Sequence, residues 1–113
     1  QSLDINEAEN LKGLNLTTNQ LTDLSLSSNT QLETLVISNN SLKQIELSQN
    51  PELKYLYAST NAFTNLDVSQ NQKLVDLRVD RNPSLSCINI EEGQEILTVR
   101  ISEYQEIRSD CGE

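Results

Sequence analysis

The sequence predicts a β-rich solenoid in which short parallel strands stack coil on coil, with little or no helix. Three observations lead to this prediction. One short apolar phrase recurs along most of the chain, its apolar residues alternate as they do in strands, and no stretch of any length shows the helical period of 3.6. Only 4% of the 113 residues are aromatic, so a single domain with a core of stacked Leu, Ile and Val suits the composition.

The repeated phrase reads apolar, two residues, apolar, one residue, apolar, two residues, Asn. In one copy these positions are Leu53, Leu56, Ala58 and Asn61. The leading apolar residues of the eight copies are Leu11, Leu21, Leu32, Leu42, Leu53, Phe63, Leu74 and Leu85. They are spaced by 10, 11, 10, 11, 10, 11 and 11 residues, so the period is 21 residues and each coil has a shorter half and a longer half, although the shorter half from Leu74 has one extra residue. The shorter halves start at Leu11, Leu32, Leu53 and Leu74, and the longer halves start at Leu21, Leu42, Phe63 and Leu85.

Each half-coil carries too little apolar surface to fold alone. The alternating residues place two side chains on one face of a short strand, and stacking of successive coils buries those faces in one continuous core. Parallel strands in neighbouring coils then lie about 4.8 Å apart. We expect residues 1–90 to form about four coils of a right-handed superhelix, with extended segments on both sides, tight turns between them and an uncapped N-terminal end.

An asparagine closes almost every half-coil. A carboxamide at a bend can bond to the backbone N–H and C=O groups that the turn leaves unpaired, so stacked asparagines should form hydrogen-bonded ladders. The predicted ladder residues are Asn19, Asn29, Asn40, Asn50, Asn61, Asn71 and Asn82. Ala8 and Gly93 hold the equivalent places at the two ends, where we expect the ladder to stop.

The phrase LxxLxLxxN resembles that of leucine-rich repeats. The alternating 21-residue form, with halves such as LDVSQN, is similar to the secreted and surface repeats of Bacteroidetes and of certain listerial internalins. The resemblance covers residues 3–90 and implies a leucine-rich repeat solenoid that binds a partner. Several of these relatives carry a cysteine ladder at a core position that this chain fills with Leu16, Ile37, Ala58 and Val79.

The phrase breaks down after Ile90, and residues 91–113 are predicted to form a C-terminal cap with a polar outer face. Cys87 and Cys111, the only cysteines, favour a disulfide that ties this cap to the last coil. Two free thiols or a metal site are the alternatives, and the absence of His and of a CxxC spacing argues against zinc. The resembling secreted proteins often end in a similar Cys-Ile…Cys cap. A disulfide indicates an oxidising, exported location, secreted or at the cell surface.

The charge excludes several classes of partner. A net charge of −9 argues against nucleic acid and against anionic lipid, both of which require clusters of Lys and Arg. No run of about 18 apolar residues is present, so no membrane insertion is expected.

With no His, a catalytic triad is effectively excluded. Glu46 and Asp67, 21 residues apart, are better interpreted as a solvated face than as paired catalytic acids. The sequence therefore predicts no enzyme, no cofactor and no metal site.

The two faces of the predicted solenoid differ in their outward residues. The longer halves present short polar residues, namely Ser25, Ser27, Glu46, Ser48, Asp67 and Ser69. The shorter halves present larger ones, and the binding-face candidates are Val36, Tyr55, Tyr57, Arg78 and Asp80. Tyr and Arg are enriched at binding hot spots, although Tyr is also an ordinary strand residue. The resemblance implies that this shorter-half face is the concave, ligand-binding sheet.

From these features we predict a non-catalytic recognition or adhesion module, exported and displayed by a bacterial cell, that binds a protein partner on the shorter-half face. A glycan partner is a weaker alternative. A structural spacer or end-piece of a larger surface protein, with no ligand of its own, is the competing interpretation.

Overall fold

The computed structural model describes residues 2–3, 5 and 7–111. These residues contain ten short strands and no helix. The strands are β1 (Ser2–Leu3), β2 (Gly13–Asn15), β3 (Asp23–Leu24), β4 (Thr34–Val36), β5 (Tyr55–Tyr57), β6 (Leu66–Asp67), β7 (Asp76–Arg78), β8 (Cys87–Asn89), β9 (Thr98–Arg100) and β10 (Glu106–Arg108). All described strand pairs are parallel, which confirms the predicted solenoid of stacked coils.

The shorter halves build one unbroken sheet in the order β2-β4-β5-β7-β9. Its register follows the repeat: Leu35 pairs with Leu56, and Leu56 pairs with Leu77, each 21 residues further on. The longer halves build two smaller sheets, β1-β3 and β10-β8-β6. Between them, residues 44–47 form no strand, so the ladder on this side of the solenoid is interrupted.

The core is a stack of the predicted apolar positions. Leu32, Leu42, Leu53 and Phe63, which lead four successive half-coils, are fully buried. The alternating strand residues behave in the same way, since Leu56 is buried between the more exposed Tyr55 and Tyr57. Burial of one such side chain stabilises the fold by about 1.5–3 kcal/mol, and because each coil contacts only its neighbours, loss of one layer falls mainly on the adjoining coils.

The asparagines form two ladders with different hydrogen bonding. In the three shorter halves after the first, both ends of the amide are used: Asn61 donates from Nδ2 to the carbonyl oxygen of Ile37 at 2.9 Å and accepts at Oδ1 from the N–H of Leu42 at 3.1 Å. In the longer halves Asn50 donates to the carbonyl oxygens of Leu26 and Asn29. The Oδ1 atoms of three longer-half residues have no hydrogen-bond partner among the described residues, namely Asn29, Asn50 and Asn71.

The two halves also turn in different ways. The residue before each shorter-half asparagine adopts a left-handed backbone conformation, with φ between 58° and 61°. These residues are Thr18, Asn39, Thr60 and Arg81. In the longer half of each coil, one additional residue makes the bend, and the only other positive φ among the described residues is at Gly93. The left-handed turn therefore marks the shorter halves, including the one that starts at Leu74 and has 11 residues.

The last coil continues both stacks of strands. β9 pairs with β7 and β10 pairs with β8, in the same parallel sense as the coils before them. The prediction that the ladder stops at Gly93 was wrong, because the next residue replaces asparagine: Gln94 donates to the carbonyl oxygens of Val68 and Asn71. Gln105 likewise donates to that of Val79. The division of the chain at residue 90 into solenoid and cap stays a prediction.

The two cysteines lie at disulfide distance, as predicted. Cys87 in β8 and Cys111 after β10 are bonded, with their Cα atoms 5.8 Å apart. The N–H of Cys111 also donates to Oδ1 of Asn89 at 3.2 Å. The covalent bond therefore holds the end of the last coil against the coil before it.

Candidate functional site

The candidate site lies on the outer face of the five-stranded sheet. Because the register is unbroken, outward residues 21 or 22 positions apart stand side by side in columns. One column runs through Val36, Tyr57, Arg78 and Arg100, and the column beside it holds Tyr55 and Asp76. Val36, Tyr55, Tyr57 and Arg78, all predicted binding-face candidates, therefore share one surface. The fifth candidate, Asp80, follows β7 at the next bend.

Asp76 accepts hydrogen bonds from two other side chains of the site. The hydroxyl of Tyr57 donates to Asp76 Oδ2 at 3.0 Å. Arg78 donates to both carboxylate oxygens of Asp76, from Nε at 3.3 Å and from Nη2 at 3.2 Å. The guanidinium carbon of Arg78 lies 4.5 Å from the centre of the Tyr57 ring, a cation–π distance. The three side chains thus hold one another in place.

The electrostatics of this cluster follow from the carboxylate. The hydrogen bond that Tyr57 donates to Asp76, together with burial and the negative charge of Asp76, raises the pKa of the Tyr57 hydroxyl. The hydrogen bonds to Asp76 also raise the pKa of Arg78. The phenol therefore stays neutral and the guanidinium stays charged at ordinary pH. The cluster presents an aromatic ring and a guanidinium plane whose orientations are fixed before any partner arrives.

The remaining candidates are placed around this cluster. Tyr55 is exposed and Val36 is half-buried. Asp80 accepts a hydrogen bond from the hydroxyl of Ser59 at 2.5 Å and lies 3.9 Å from Nε of Arg81. Asp80 is therefore tied to the bend rather than to the tyrosines. Ser59, which donates this hydrogen bond to Asp80, lies 21 residues earlier, at the equivalent position of the preceding coil.

Two residues of the site were missed by sequence reasoning. Asp76 stands 21 residues after Tyr55 and is the equivalent residue of the next coil, so the repeat itself could have found it. Arg100 lies in the segment predicted as a cap, where the register could not be read from the phrase. It extends the column that contains Tyr57 and Arg78 by one strand.

A groove lies on the opposite face, where the longer-half ladder is interrupted. Its volume is about 640 Å³, and its lining includes Ser25, Gln44, Ile45, Glu46, Asn65 and Asp67. Burial raises the pKa of Asp67, but hydrogen bonds from the hydroxyl and N–H of Ser69 and from Asn89 outweigh it and hold that pKa below its usual range. The lining of this groove includes no aromatic and no basic side chain. Protein interfaces are often flat and rely on such anchors, so we place the candidate site on the five-stranded sheet.

The described residues contain no group of three or more His, Cys, Asp or Glu side chains arranged to hold a metal ion. No helix among them has the length and apolar character needed to cross a bilayer.

Comparison with solved structures shows a clear likeness in fold. The chain is similar to the functional domain of InlJ from Listeria monocytogenes, a listerial internalin described as including a cysteine ladder. The match has 27% sequence identity and a TM-score of 0.74, and it covers 95% of this chain and 28% of that one. No protein-family model matches the sequence, and no curated protein matches it either. The predicted leucine-rich repeat fold and the resemblance to listerial internalins are thereby confirmed.

Proposed function

We propose that this leucine-rich repeat solenoid is a non-catalytic, extracellular recognition or adhesion module that binds a protein partner on the shorter-half sheet. The internalin-like neighbour supports a surface module for protein interaction, and the disulfide supports export. The leucine-rich repeat fold is generally a non-catalytic one. This chain spans 28% of the InlJ domain, so any activity of a larger protein is part of the proposal.

The observation that carries the proposal is the prearranged cluster of Tyr57, Asp76 and Arg78. Side chains that are already ordered lose little conformational entropy when a partner binds, and Tyr and Arg are enriched among the few residues that dominate binding energy at protein interfaces. The five-stranded sheet keeps Tyr55 and Val36 beside the cluster, so that an aromatic and an aliphatic surface adjoin it. A glycan would use the same tyrosine rings, and it remains the second candidate ligand.

The test is to present the intact chain to arrays of extracellular proteins and of glycans, and then to compare variants on the best binder. Tyr57→Ala and Arg78→Ala should each weaken binding by about tenfold or more, as expected for hot-spot residues. Tyr57→Phe keeps the ring but loses the bond to Asp76 and should have an intermediate effect. Asn65→Ala, on the opposite face, is the matched control and should bind as the wild type does.

Thermal unfolding separates recognition from scaffold. If Tyr57→Ala and Arg78→Ala both unfold the chain, the face is structural and the proposal fails. If the variants fold but the wild type binds nothing on either array, the structural spacer becomes the better interpretation. A binder that loses affinity for Asn65→Ala and not for Tyr57→Ala would move the site to the groove.

A further inference from the structure

At the C-terminal end of the five-stranded sheet, the residues that the structure describes leave one side of β9 without a partner strand. β9 is the last strand of the order β2-β4-β5-β7-β9. The N–H of Thr98 donates to the carbonyl oxygen of Val75, and the carbonyl oxygen of Arg100 accepts from Val79, so these two residues bond inward to β7. Residues of a parallel strand bond alternately to the two sides. The N–H and C=O of Val99 therefore face outward, toward the position of a further strand.

This edge is short and carries one charge, Arg100, yet it exposes apolar side chains. Edges are commonly blocked by Lys, Pro, a bulge or a covering loop. Here Leu97 is 87% exposed, Tyr104 is 49% exposed and Val99 is 37% exposed. Val99 continues the core column of Leu77, which is fully buried. An added strand with an apolar residue opposite Val99 would complete that column.

The charges indicate which kind of strand fits. Arg100 stands directly in register with Arg78, and like charges opposite each other across strands are unfavourable. Asp76 compensates Arg78. The side chain of Arg100 has no hydrogen bond or ion pair with the residues that the structure describes. An acidic side chain in register with Arg100 on the far side would supply the missing negative charge.

We propose that the β9 edge binds an extended segment of a partner protein, added as a further parallel strand, with Asp or Glu in register with Arg100 and apolar residues on either side of it. Strand addition of this kind obtains affinity from backbone hydrogen bonds and specificity from alternate side chains. A second copy of this chain fits less well. Stacked head to tail, it would place Asn15 opposite Arg100, and Asn15 Oδ1 already accepts hydrogen bonds from Thr17.

The test uses two ten-residue peptides with blocked ends, KTLTVEVTLK and KTLTVKVTLK, which differ only in the sign of the charge at the sixth residue. In the intended register the fifth residue, Val, lies opposite Val99 and the sixth, Glu or Lys, lies opposite Arg100. Titration followed by NMR should show that the Glu peptide binds the wild-type chain about tenfold more tightly, because attraction is replaced by repulsion in the Lys peptide. Arg100→Glu should reverse this preference, and Arg108→Glu, on the other sheet, should leave it unchanged.

Backbone variants and exchange locate the contact. Val99→Pro removes an N–H that faces only the open edge, so it should abolish binding of the Glu peptide while the chain keeps its fold. Amide exchange at Val99 should slow when the peptide binds. The proposal would be overturned if neither peptide bound at millimolar concentration, or if Arg100→Glu left the preference between the two peptides unchanged. It would also be overturned if the peptide slowed amide exchange at Tyr57 instead of at Val99. If the wild-type chain self-associates and Val99→Pro prevents this, the β9 edge binds a second copy of the chain, and the proposal of a partner segment is overturned as well.

Discussion

Replacing Asn82 by Ala should cost about 4 kcal/mol of unfolding free energy, whereas replacing Asn50 by Ala should cost about 0–1 kcal/mol. The two sites are closely matched. Both side chains are fully buried, both residues precede a proline, and both carbonyl groups accept a hydrogen bond from the leucine three residues later. Each Nδ2 also donates to two backbone carbonyl oxygens at 2.9 and 3.1 Å, and Asn82 has a third, longer bond of 3.3 Å to Asp80. Loss of these bonds is therefore common to both variants.

The difference lies in the amide oxygen. Asn82 Oδ1 accepts from the N–H of Asn61 at 3.0 Å and, more weakly, from that of Phe63 at 3.4 Å, so the Ala variant leaves buried donors without an acceptor. Asn50 Oδ1 has no partner among the described residues, so its removal relieves a buried unpaired acceptor. An unsatisfied buried polar group costs about 1–3 kcal/mol. Asn82→Ala creates such groups and Asn50→Ala removes one, so the unfolding free energies of the two variants should differ by about 3 kcal/mol.

Equilibrium unfolding in urea measures this difference. At an m value of about 1–3 kcal/mol/M, the midpoint of Asn82→Ala should lie at least about 1 M below that of Asn50→Ala. The m value should stay the same in both variants, so that the midpoints compare stability alone. Equal midpoints, or a lower midpoint for Asn50→Ala, would refute the assignment of two unlike ladders. Such a result would mean that the longer-half oxygens are as well bonded as the shorter-half ones.

Three further predictions concern the disulfide, a strained turn and the tyrosine site. Replacing both Cys87 and Cys111 by Ser should lower the unfolding free energy by about 3 kcal/mol, since the bond closes a loop of about 25 residues, and calorimetry without reductant should show the loss. Thr60→Gly should raise stability by about 1 kcal/mol in urea unfolding, because φ of 58° strains a β-branched residue, and an unchanged or lower midpoint would contradict this. In absorbance titration, the Tyr57 hydroxyl should ionise above the usual tyrosine range. Because its pKa is higher in the folded chain than in the unfolded chain, the neutral hydroxyl contributes its full stability below the unfolded-state pKa, and this contribution is lost as the pH rises through the folded-state pKa. Asp76→Asn should bring that ionisation back toward the ordinary value.

Much of the architecture is local and repetitive, which is why the sequence alone predicted it. Alternation at Leu53, Leu56 and Ala58 sets which side chains face inward, and the 21-residue period sets which residues stack. An asparagine at each bend predicted hydrogen-bonded ladders because a short carboxamide can reach turn backbone. The pairing of Cys87 with Cys111 followed from their number and their places in the chain.

Other features depend on contacts between coils, and only the tertiary structure decided them. Tyr57 and Arg78 were candidates on the sequence, and the 21-residue period places Asp76 on the same face, but the hydrogen bonds that join the three side chains depend on their orientations across two strands. Gln94 continues the ladder because its longer side chain makes up for a one-residue shift, a substitution that the LxxLxLxxN phrase does not anticipate.

The open edge at β9 has the same origin. Leu97 and Val99 look like ordinary strand residues in the sequence, and the segment around them was expected to be a polar cap. Their exposure depends on which strand is last in the sheet, and that is settled by pairing between coils and not by the residues themselves. The sequence thus determined the coil and its repeat, whereas the stacking of the coils determined which side chains meet and which are left for a partner.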